Sequence, residues 1–488
     1  MTKKPILITT SIAYVNGAPH VGFAMEAIEA DTFARWKRLR GYDVFFLTGT
    51  DEHGIKIYRT AEEQGISAKE LADKNSAHFQ ELAKTLHISH DDFIRTTEER
   101  HIRGAQEFWR RIEKREDLEE RPFTGKYCVG CETFYTEKEL ENGYCPIHLC
   151  LPEELTEKNY FFRLSRYSKE VSSLLSEETI EVLPRFRAQE ILRFTEDGLK
   201  DISFSRPAKS LPWGIPVPEK PDHTMYVWCD ALTNYITALG FGSSDEWKHY
   251  WEQGEVVHFI GKDILRFHAA IWPAMLLSAR LPVPSKICVH GFLTSEGHKM
   301  SKSLGNVVDP FAVVEDFEGN PDPLRFFLLS EVPFGRDADF SQKRFLEMYN
   351  AKLANGLGNL LSRIMTLSEK AGGVAPAQYI VSPKLLEFTE ALSGKIDTFM
   401  EQCELHSALQ EIFSLVEILN LDIDEKKPWI AIKEDPKSMN TNIADWLSAL
   451  LLLSQELSPF LPSTAEKMIL ALEKGEKIQL FPRKEIGK

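Results

Sequence analysis

The N-terminal fifty residues alternate between short apolar runs and one longer segment with helical spacing. PILITTSI (5–12) and DVFFLTGT (43–50) are apolar and rich in β-branched or aromatic residues, which is typical of buried parallel strands. Between them, FAMEAIEADTFARWKRLRG (23–41) has apolar residues at helical spacing and ends at a glycine, a common helix stop. This order predicts a βαβ unit, in which ligands bind beyond the carboxyl ends of the strands.

The pattern changes twice further along the chain. From about 121 to 225, short aromatic-rich runs and a cysteine cluster predict an insertion with its own small fold. Strand-like runs return at MYVWCDAL (225–232), VVHFIGKD (256–263) and KICVHGFL (286–293), and they complete a split nucleotide-binding domain. From Gln342 onward, apolar residues recur at helical spacing with little glycine, which predicts an α-helical bundle.

The predicted fold class is therefore α/β, with a Rossmann-like nucleotide-binding domain that is split by the insertion and followed by the bundle. The predicted boundaries are 1–120 for the first half of this domain, 121–225 for the insertion, 226–341 for the second half with a lysine-containing loop, and 342–488 for the helical bundle.

Composition adds limits to this prediction. The chain has 488 residues, of which 43% are hydrophobic and 27% charged, and a formal net charge of -15. This acidic balance argues against a protein that coats nucleic acid non-specifically, although a local basic surface could still dock one. No signal peptide opens the sequence, and its longest apolar run, WLSALLLL (446–453), is too short to span a bilayer. We therefore expect a cytoplasmic protein with no membrane partner.

Four of the seven cysteines lie between Cys128 and Cys150. Cys128 and Cys131 form a Cys-x2-Cys pair, and thirteen residues later Cys145 and His148 form a Cys-x2-His pair. Two close pairs can supply the four ligands of a tetrahedral zinc ion and leave no position for a catalytic water. The spacing predicts a zinc knuckle with one structural Zn²⁺ at these four residues. Two alternatives stay open: Cys150 in place of His148, and scattered buried cysteines without metal.

Two further motifs suit phosphate. PHVG places His20 and Gly22 at the predicted start of a helix, where backbone N–H groups and the helix dipole favour an anion. GHKMSKSLGN places Lys299 and Lys302 in a glycine-bounded loop, which suits a departing polyphosphate. Taken singly, the first could be an ordinary capping turn and the second a solvated lysine loop. In this order around a split α/β domain, the two motifs are far more specific.

With these motifs the sequence resembles the class I aminoacyl-tRNA synthetases and, more narrowly, the methionyl-tRNA synthetase family, over essentially the whole chain. PHVG stands at the position of the HIGH motif of that class, and KMSKS is the class motif unaltered. The runs that carry the narrower resemblance are SIAYVNGAPHVG, FFLTGTDEHG, the cysteine cluster, NYFFRL, PWGIPVP, YVWCDALTNY, HFIGKDILRFHAAIWPAML, GHKMSKSLGN and EKKPW.

The resemblance implies an ATP-dependent ligase. In its reaction the methionine carboxylate attacks the α-phosphate of ATP, and methionyl-adenylate and pyrophosphate form. The methionyl group then passes to the terminal ribose of a methionine tRNA, initiator or elongator, and AMP is released. Mg²⁺ accompanies ATP, and the bundle binds the anticodon. We expect a monomer, because the dimerising C-terminal extension of the family is missing from the sequence.

The resemblance also assigns site residues. Aromatic and aliphatic walls suit an unbranched thioether, and one carboxylate suits one ammonium group. The methionine-binding positions are Ile12, Tyr14, Asp51, Trp228, Ala231, Leu232, Tyr235, Ile264 and His268. The ATP-binding positions are His20, Gly22, Phe23, Gly261, Asp263, Lys299 and Lys302, of which His20, Lys299 and Lys302 are catalytic. The anticodon-binding positions are Asn359, Arg363 and Trp429; without the resemblance, Trp429 could equally be a core anchor.

One position departs from the class motif. Phe23 stands where the motif has its final histidine, so one donor to the reacting phosphate is missing. We expect another histidine, His53 or His290, to supply part of that contact. Two rival functions follow from these residues: a synthetase for another apolar amino acid, and a non-catalytic tRNA-binding paralogue.

Overall fold

The chain folds into two compact units. The computed structural model describes residues 3–130, 132–135, 137–147, 149–300, 306–373 and 383–485. One unit, here called the sheet unit, comprises Met1–Pro19, Tyr42–Glu81 and His90–Val289. The other, called the helical unit, comprises His20–Gly41, Leu82–Ser89 and His290–Lys488.

The strands vary in length, from two residues in β2 to eleven in β5. They are β1 (Pro5–Thr10), β2 (Ala13–Tyr14), β3 (Asp43–Asp51), β4 (Asp92–Arg95), β5 (Leu118–Cys128), β6 (Thr133–Tyr135), β7 (Glu153–Phe162), β8 (Glu181–Leu183), β9 (Ile202–Ser203), β10 (Ser205–Pro207), β11 (Pro216–Val217), β12 (Lys220–Met225), β13 (Glu255–Gly261), β14 (Lys286–His290), β15 (Leu293–Ser295), β16 (His298–Lys299) and β17 (Ala338–Phe340).

The helices separate the parallel strands and then make up nearly all of the C-terminal part. They are α1 (Val21–Leu39), α2 (Ile55–Gln64), α3 (Ala68–Thr85), α4 (Glu99–Glu113), α5 (Ser168–Ser176), α6 (Arg185–Glu196), α7 (Val227–Ala231), α8 (Asn234–Thr237), α9 (Trp247–Trp251), α10 (Trp272–Ser278), α11 (Pro310–Glu315), α12 (Asp322–Glu331), α13 (Gln342–Met348), α14 (Asn359–Lys370), α15 (Pro383–Glu401), α16 (Leu405–Lys426), α17 (Pro428–Glu434), α18 (Pro436–Leu457) and α19 (Pro462–Lys474). Two π-helical segments, Phe267–Ile271 and Tyr349–Gly358, lead into α10 and α14.

The predicted βαβ strands form a parallel sheet in the sheet unit. Its strand order is β2-β3-β1-β13-β14-β8, and β4 also pairs with β3. β1 lies between β3 and β13 and is parallel to both. Apolar residues of the central strands pack with the helices that cover them in one buried cluster, which includes Leu7, Leu47, Phe108, Val256, Trp272 and Ile287.

The range predicted as the insertion has two roles. β5 and β7 pair antiparallel along ten residues, and β6 and β9 extend their sheet. β8, within the same range, instead pairs in parallel with β14 and so belongs to the main sheet. The range 121–225 therefore carries a small antiparallel fold and also contributes an edge strand to the main parallel sheet.

One predicted strand is wrong. MYVWCDAL reads as a strand, but β12 ends at Met225 and 227–231 form helix α7. Tyr, Val and Trp favour strands only weakly, and tertiary contacts override that preference. Here the buried Asp230 bonds to His53 and His101, and a helix places it between them.

The helical unit contains the long bundle predicted from Gln342 onward, and ion pairs join α1 to α12, which precedes the bundle, and to α15 and α18 within it. Asp31 and Arg325 form a fully buried pair at 2.8 Å. At the end of α1, Arg40 contacts Asp397 at 2.7 Å and Glu456 at 2.8 Å. Breaking a buried pair of this kind costs about 3–5 kcal/mol. Among the described residues, no helix is both long enough and apolar enough to cross a bilayer.

Candidate active site

In the sheet unit, several predicted site residues follow the carboxyl ends of adjacent parallel strands. β1 is followed by Ile12 and by Tyr14 in β2, and β3 ends at Asp51. β13 ends at Gly261, and the next turn carries Asp263, which is exposed. Since β3, β1 and β13 are neighbours in the sheet, these residues share the edge at which α/β sheets bind ligands.

The predicted methionine-binding residues of this region are Trp228 and Ala231 on α7, Leu232 just after it and Tyr235 on α8. Trp228, Ala231, Leu232 and Tyr235 are spaced i, i+3, i+4 and i+7, which is the spacing of one side of a helix. Leu232 and Tyr235 belong to the buried core cluster, and the half-buried Trp228 packs against it. The sequence contained this spacing, but the β-type residues around it obscured it.

A chain of hydrogen bonds fixes the polar end of this surface. His268 Nδ1 lies 3.1 Å from the carbonyl oxygen of Ile264, so Nδ1 carries the proton and donates it. His268 Nε2 then accepts from the Tyr235 hydroxyl at 2.7 Å. Tyr235 and His268 are each 1% exposed. A phenol and an imidazole are thus held rigidly in the predicted methionine pocket.

The remaining walls are apolar and partly open. Trp228 stacks on Phe267 with ring centroids 3.7 Å apart. Ile12 and Ile264 are half-buried and pack against the same core cluster as Trp228. The structure therefore brings these side chains to one apolar surface that suits a flexible thioether. Phe267 was not predicted, and its ring supplies the stacking partner of Trp228.

Asp51 lies in a buried acidic cluster. It is 8% exposed, and burial raises its pKa, with further contributions from Asp230 and Glu132. Burial alone would raise the pKa of Asp230 too, but His53 and His101 together hold it below its ordinary value. A ligand ammonium beside Asp51 would favour its ionised form. Asp230, His53 and Glu132 are residues that sequence reasoning did not assign to this site.

In the helical unit, the start of the PHVG helix lies close to Met300 and Val308, which flank the part of the lysine loop outside the described residues. His20 caps α1, because its Nδ1 accepts from the backbone N–H of Gly22 at 3.1 Å; the neutral ring therefore carries its proton on Nε2. A side chain at position 22 would lie 2.8 Å from the His20 ring, so glycine gives that ring its room. The Val21 N–H donates to the carbonyl of Val308 at 3.1 Å, which joins α1 to the segment after the lysine loop.

The lysine loop is described only up to Met300 and again from Asn306. The backbone of Lys299 lies in β16, paired with Thr294. The Cε atom of Met300 would be 3.8 Å from a Cβ at Gly22, so the loop approaches the start of α1. Lys302 lies outside the described residues.

Phe23 packs on His20, with ring centroids 4.7 Å apart. The expected replacement donor is not His290, because both of its ring nitrogens are occupied. Nε2 bonds to Glu26 at 2.7 Å and Nδ1 bonds to the carbonyl of Gly291 at 2.8 Å. Despite burial, these partners raise the pKa of His290 to about 9. His53 has its Nδ1 on Asp230 at 2.9 Å.

The zinc prediction falls partly outside the described residues, because Cys131 and His148 are not among them. Cys128 and Cys145 are fully buried and belong to one small cluster. The sulfur atoms of Cys128 and Cys150 are 3.8 Å apart. Among the described residues, no group of three or more His, Cys, Asp and Glu side chains is arranged to hold a metal.

The predicted anticodon-binding residues lie in the bundle. Asn359 and Arg363 are on α14, one turn apart, and Asn359 is exposed. Arg363 donates to Asn420 at 3.1 Å and to Asp424 at 2.5 Å, both on α16. Trp429, on α17, is 53% exposed, so it presents its ring to solvent instead of anchoring the core.

Comparisons with known proteins identify the family of this chain. The family described as tRNA synthetases class I (M) matches residues 6–155 and 138–365, and the anticodon binding domain of methionyl tRNA ligase matches 381–485. A methionine–tRNA ligase of Brucella suis is 43% identical over 479 residues, which cover 96% of this chain and 92% of the relative. One from Caldanaerobacter subterraneus is 42% identical over 96% of this chain and 73% of its own length.

Comparisons with solved structures indicate the same family. The Mycobacterium tuberculosis methionyl-tRNA synthetase in complex with methionyl-adenylate is 38% identical, with a TM-score of 0.89 over 96% of this chain and 93% of that one. Its apo form is 33% identical, with a TM-score of 0.84 over 99% of both chains. The chain therefore belongs to the methionine–tRNA ligase family of class I aminoacyl-tRNA synthetases, the enzymes that join methionine to tRNA with ATP.

Proposed function

We propose that this chain activates methionine at the carboxyl edge of its parallel sheet and transfers it to a tRNA that its helical bundle recognises. The observation that carries the proposal is the combination of apolar and aromatic side chains with the buried carboxylate of Asp51, which ends β3 at this edge. A thioether fits the surface, and an ammonium group fits the carboxylate. The product of the first step is methionyl-adenylate.

Asp51 binds the ammonium group of methionine. Trp228, Phe267, Ile12 and Ile264 surround the thioether side chain. Tyr235 and His268 close its far end with a fixed hydrogen-bond pair. With the amino group and the side chain held, the free carboxylate is positioned to attack the α-phosphate of ATP, and this positioning supplies much of the rate enhancement.

The proposed ATP-binding residues are Gly261 and Asp263 at the carboxyl end of β13, His20, Gly22 and Phe23 at the start of α1, and Lys299 and Lys302 of the lysine loop. In the neutral tautomer set by the Gly22 contact, the proton of His20 is on Nε2, and this N–H is the group that would donate to a phosphate oxygen. Lys299 and Lys302 stabilise the negative charge that develops on pyrophosphate as it leaves. Mg²⁺ would enter with ATP, supply further positive charge to the phosphates and leave with pyrophosphate.

The chain's cysteines fit one structural zinc ion. Two thiolates on a tetrahedral zinc with bonds of about 2.3 Å lie about 3.8 Å apart, and this is the separation of the Cys128 and Cys150 sulfur atoms. Cys128, Cys131 and Cys145 would hold the ion. The sulfur separation favours Cys150 as a fourth ligand over His148. The ion would hold together the turn that joins β5 to β6.

Zinc content measured in two variants separates these ligands. If Cys150 is a ligand, Cys150→Ser lowers the content from about one ion per chain, while His148→Asn retains it. The opposite result assigns His148, and a native protein without zinc removes the site altogether.

The bundle binds the anticodon loop of methionine tRNAs, initiator and elongator, through Asn359, Arg363 and Trp429. The exposed ring of Trp429 offers a stacking surface for an unpaired base. The proposal also makes the enzyme a cytoplasmic monomer: its substrates are those of cytoplasmic translation, and one chain supplies all of the assigned residues. Light scattering coupled to size-exclusion chromatography checks the monomer.

Methionine-dependent ATP–pyrophosphate exchange tests the proposal against both rivals. Exchange with methionine, and at least 100-fold less with leucine, isoleucine and valine, is the expected result. Preferential exchange with one of those amino acids would make the chain a different synthetase. Absence of exchange with every amino acid, together with tRNA binding in a filter assay, would make it a non-catalytic paralogue.

A further inference from the structure

Glu132 is a buried acid with an unusual backbone. It lies between β5 and β6, in the first part of the insertion, and is only 4% exposed. Its φ is +48°, in the left-handed region that residues with a side chain seldom adopt. A strained residue persists only where its surroundings hold it, and such residues concentrate at functional sites. The cost of burying a carboxylate adds to this strain.

The Glu132 contacts join three segments of the sheet unit. Its Oε1 accepts from the Tyr14 hydroxyl at 2.6 Å and from the backbone N–H of Lys56 at 2.9 Å. Its backbone carbonyl accepts from the Tyr226 hydroxyl. Tyr14 is in β2, Lys56 is in the first turn of α2, and Tyr226 immediately precedes α7. One residue of the insertion therefore contacts three elements that carry or adjoin the methionine site.

The segment TGTDEHG (48–54), which covers the end of β3 and the turn after it, leaves room for this carboxylate. Gly54 has a φ of +118°, and a Cβ built on it would overlap both carboxylate oxygens of Glu132 and the Tyr14 hydroxyl. Only glycine adopts this backbone readily and leaves room for the two groups. The close approach of Glu132 is thus matched by the sequence of the segment that contains Asp51.

Tyr14 connects Glu132 to the ammonium-binding position. In the pairing of β2 with β3, Tyr14 lies opposite Asp51. The Tyr14 ring packs with Trp228 against the small cluster of Ile55, Tyr127 and Val227. Tyr14 is only half-buried, so its hydroxyl contact with Glu132 decides where its ring stands beside the pocket.

We infer that Glu132 is a positioning residue for methionine: by holding the Tyr14 ring beside Asp51, it makes the insertion part of the amino-acid site. The inference rests on the proposed methionine pocket. A purely structural alternative exists, because Glu132 also accepts from an N–H in the first turn of α2 and could serve only as a helix cap.

Steady-state ATP–pyrophosphate exchange in Glu132→Ala separates these roles. A positioning role raises the KM for methionine by about 10- to 100-fold, the factor for a lost hydrogen bond to a charged group. The KM for ATP and the maximal exchange rate should stay within about twofold. Glu132→Gln keeps an oxygen where Oε1 accepts both bonds, so it should restore the KM for methionine to within about threefold of wild type.

Glu157→Gln is the matched control. Glu157 is another buried acid of the insertion, but it pairs with Arg206 and makes no contact with Tyr14 in the described structure. If Glu132 merely stabilises the insertion, both variants should lower thermal stability and change the exchange kinetics alike. Under the positioning role, Glu157→Gln lowers stability but leaves the KM for methionine unchanged.

Tyr14→Phe keeps the inference testable if Glu132→Ala does not fold. The variant should raise the KM for methionine, and combining it with Glu132→Gln should add nothing further, because both act on one hydrogen bond. Additive effects of the two substitutions on the KM for methionine would overturn the inference. So would a Glu132→Gln variant as impaired as Glu132→Ala, because that result would indicate direct action of the Glu132 charge.

Asp51→Asn tests the pocket itself. An unchanged KM for methionine in this variant would refute the proposed site. A raised KM in Asp51→Asn, with an unchanged KM in Glu132→Ala, would refute only the role of Glu132.

Discussion

The proposed methionine pocket and the proposed anticodon face differ sharply in exposure. In the pocket, Tyr235 and His268 are 1% exposed and Asp51 is 8% exposed, and a hydrogen bond orients the Tyr235 hydroxyl against the His268 ring. In the bundle, Trp429 is 53% exposed and Asn359 is exposed. A small ligand has few atoms, so its affinity depends on enclosure and preorganised polar partners. An RNA loop brings large stacking surfaces of its own, and exposed residues can bind them.

The two regions also differ in how much they destabilise the folded protein. Asp51 is held near Asp230 and Glu132 in a buried setting that disfavours its charge, so the free protein is destabilised there until an ammonium group binds. Trp429 leaves half of its ring in water, and only its apolar exposure is unfavourable. Substitutions should therefore have larger and more ligand-specific effects in the pocket than on the bundle.

The largest effect is expected from Asp51→Asn. Loss of a buried partner of a charged group costs about 2–5 kcal/mol, so kcat/KM for methionine in adenylate formation should fall by about 30- to 5,000-fold. Wild-type affinity for methionine should increase as pH rises, because the raised pKa of Asp51 leaves more of it ionised at higher pH. Isothermal titration across pH measures this slope, which the Asn variant should lack.

Glu153→Gln is the control for this prediction. Glu153 is an exposed acid of the same unit, in an ion pair with Arg59 that is also exposed. Exposed pairs contribute about 0–1 kcal/mol, so methionine affinity should stay close to wild type. A loss equal to that of Asp51→Asn would show that general electrostatics, and no specific ammonium site, controls binding.

Trp429→Ala should affect the other half of the reaction. Loss of one base stack costs about 1–3 kcal/mol, which lowers kcat/KM for tRNA by about 5- to 150-fold. Methionine-dependent ATP–pyrophosphate exchange should be unchanged. Equal loss of both activities, with a lower melting temperature, would assign the ring a packing role. Leu421→Ala, at an exposed position of α16 that is 63% exposed, provides a matched surface truncation.

Glu29→Gln tests whether burial of a carboxyl group with an unpartnered oxygen raises its pKa, as burial does at Asp51. Glu29 is 3% exposed, and its Oε2 has no hydrogen-bond partner in the part of the chain that the structure describes. Burial raises its pKa to about 7, while the neighbouring His290 lowers it and Glu26 raises it. The folded state therefore holds this proton more tightly than the unfolded state. The unfolding free energy contributed by the group falls as pH rises from about 4.5 to about 7.

At pH 8 the free energy of unfolding of the Gln variant should exceed that of wild type by about 1–3 kcal/mol. At pH 4.5 the unfolding free energies of the two proteins should be nearly equal. Urea unfolding at both pH values provides the measurement. Asp31→Asn, on the same helix, is the opposite control: Asp31 is paired with Arg325, and its substitution should destabilise the protein at pH 8. Equal stability of Glu29→Gln and wild type at pH 8 would show that Glu29 finds a partner in solution.

Phe23→His should have the smallest effect. A neutral hydrogen bond is worth about 0.5–1.5 kcal/mol, so a restored donor should raise the rate of adenylate formation by at most about 10-fold. Methionine affinity should not change. Single-turnover adenylate formation decides the question, and abolished activity would mean that the packing of Phe23 on His20 is required for the site's shape.

Local patterns made several elements predictable. PILITTSI and DVFFLTGT became β1 and β3, because continuous apolar β-type runs suit strands buried on both faces. The helix after PHVG became α1, and Gly41 just beyond it has a φ of +84°. Asn359 and Arg363 lie one turn apart on α14, as their spacing required. The MYVWCDAL helix was missed, because its helical spacing competed with stronger local β propensity.

Sequence alone determined the periodicity of these elements, the order of the motifs and the family, because each is a property of neighbouring residues or of matching residue runs. It did not determine that Glu132 reaches Tyr14, 118 positions away in the chain, or that Asp230 lies between His53 and His101. Such contacts depend on which distant segments the fold brings together. For a buried carboxylate, those contacts determine whether it is charged and which groups it can bind. For this reason only the tertiary structure associated Glu132 and Asp230 with the proposed site.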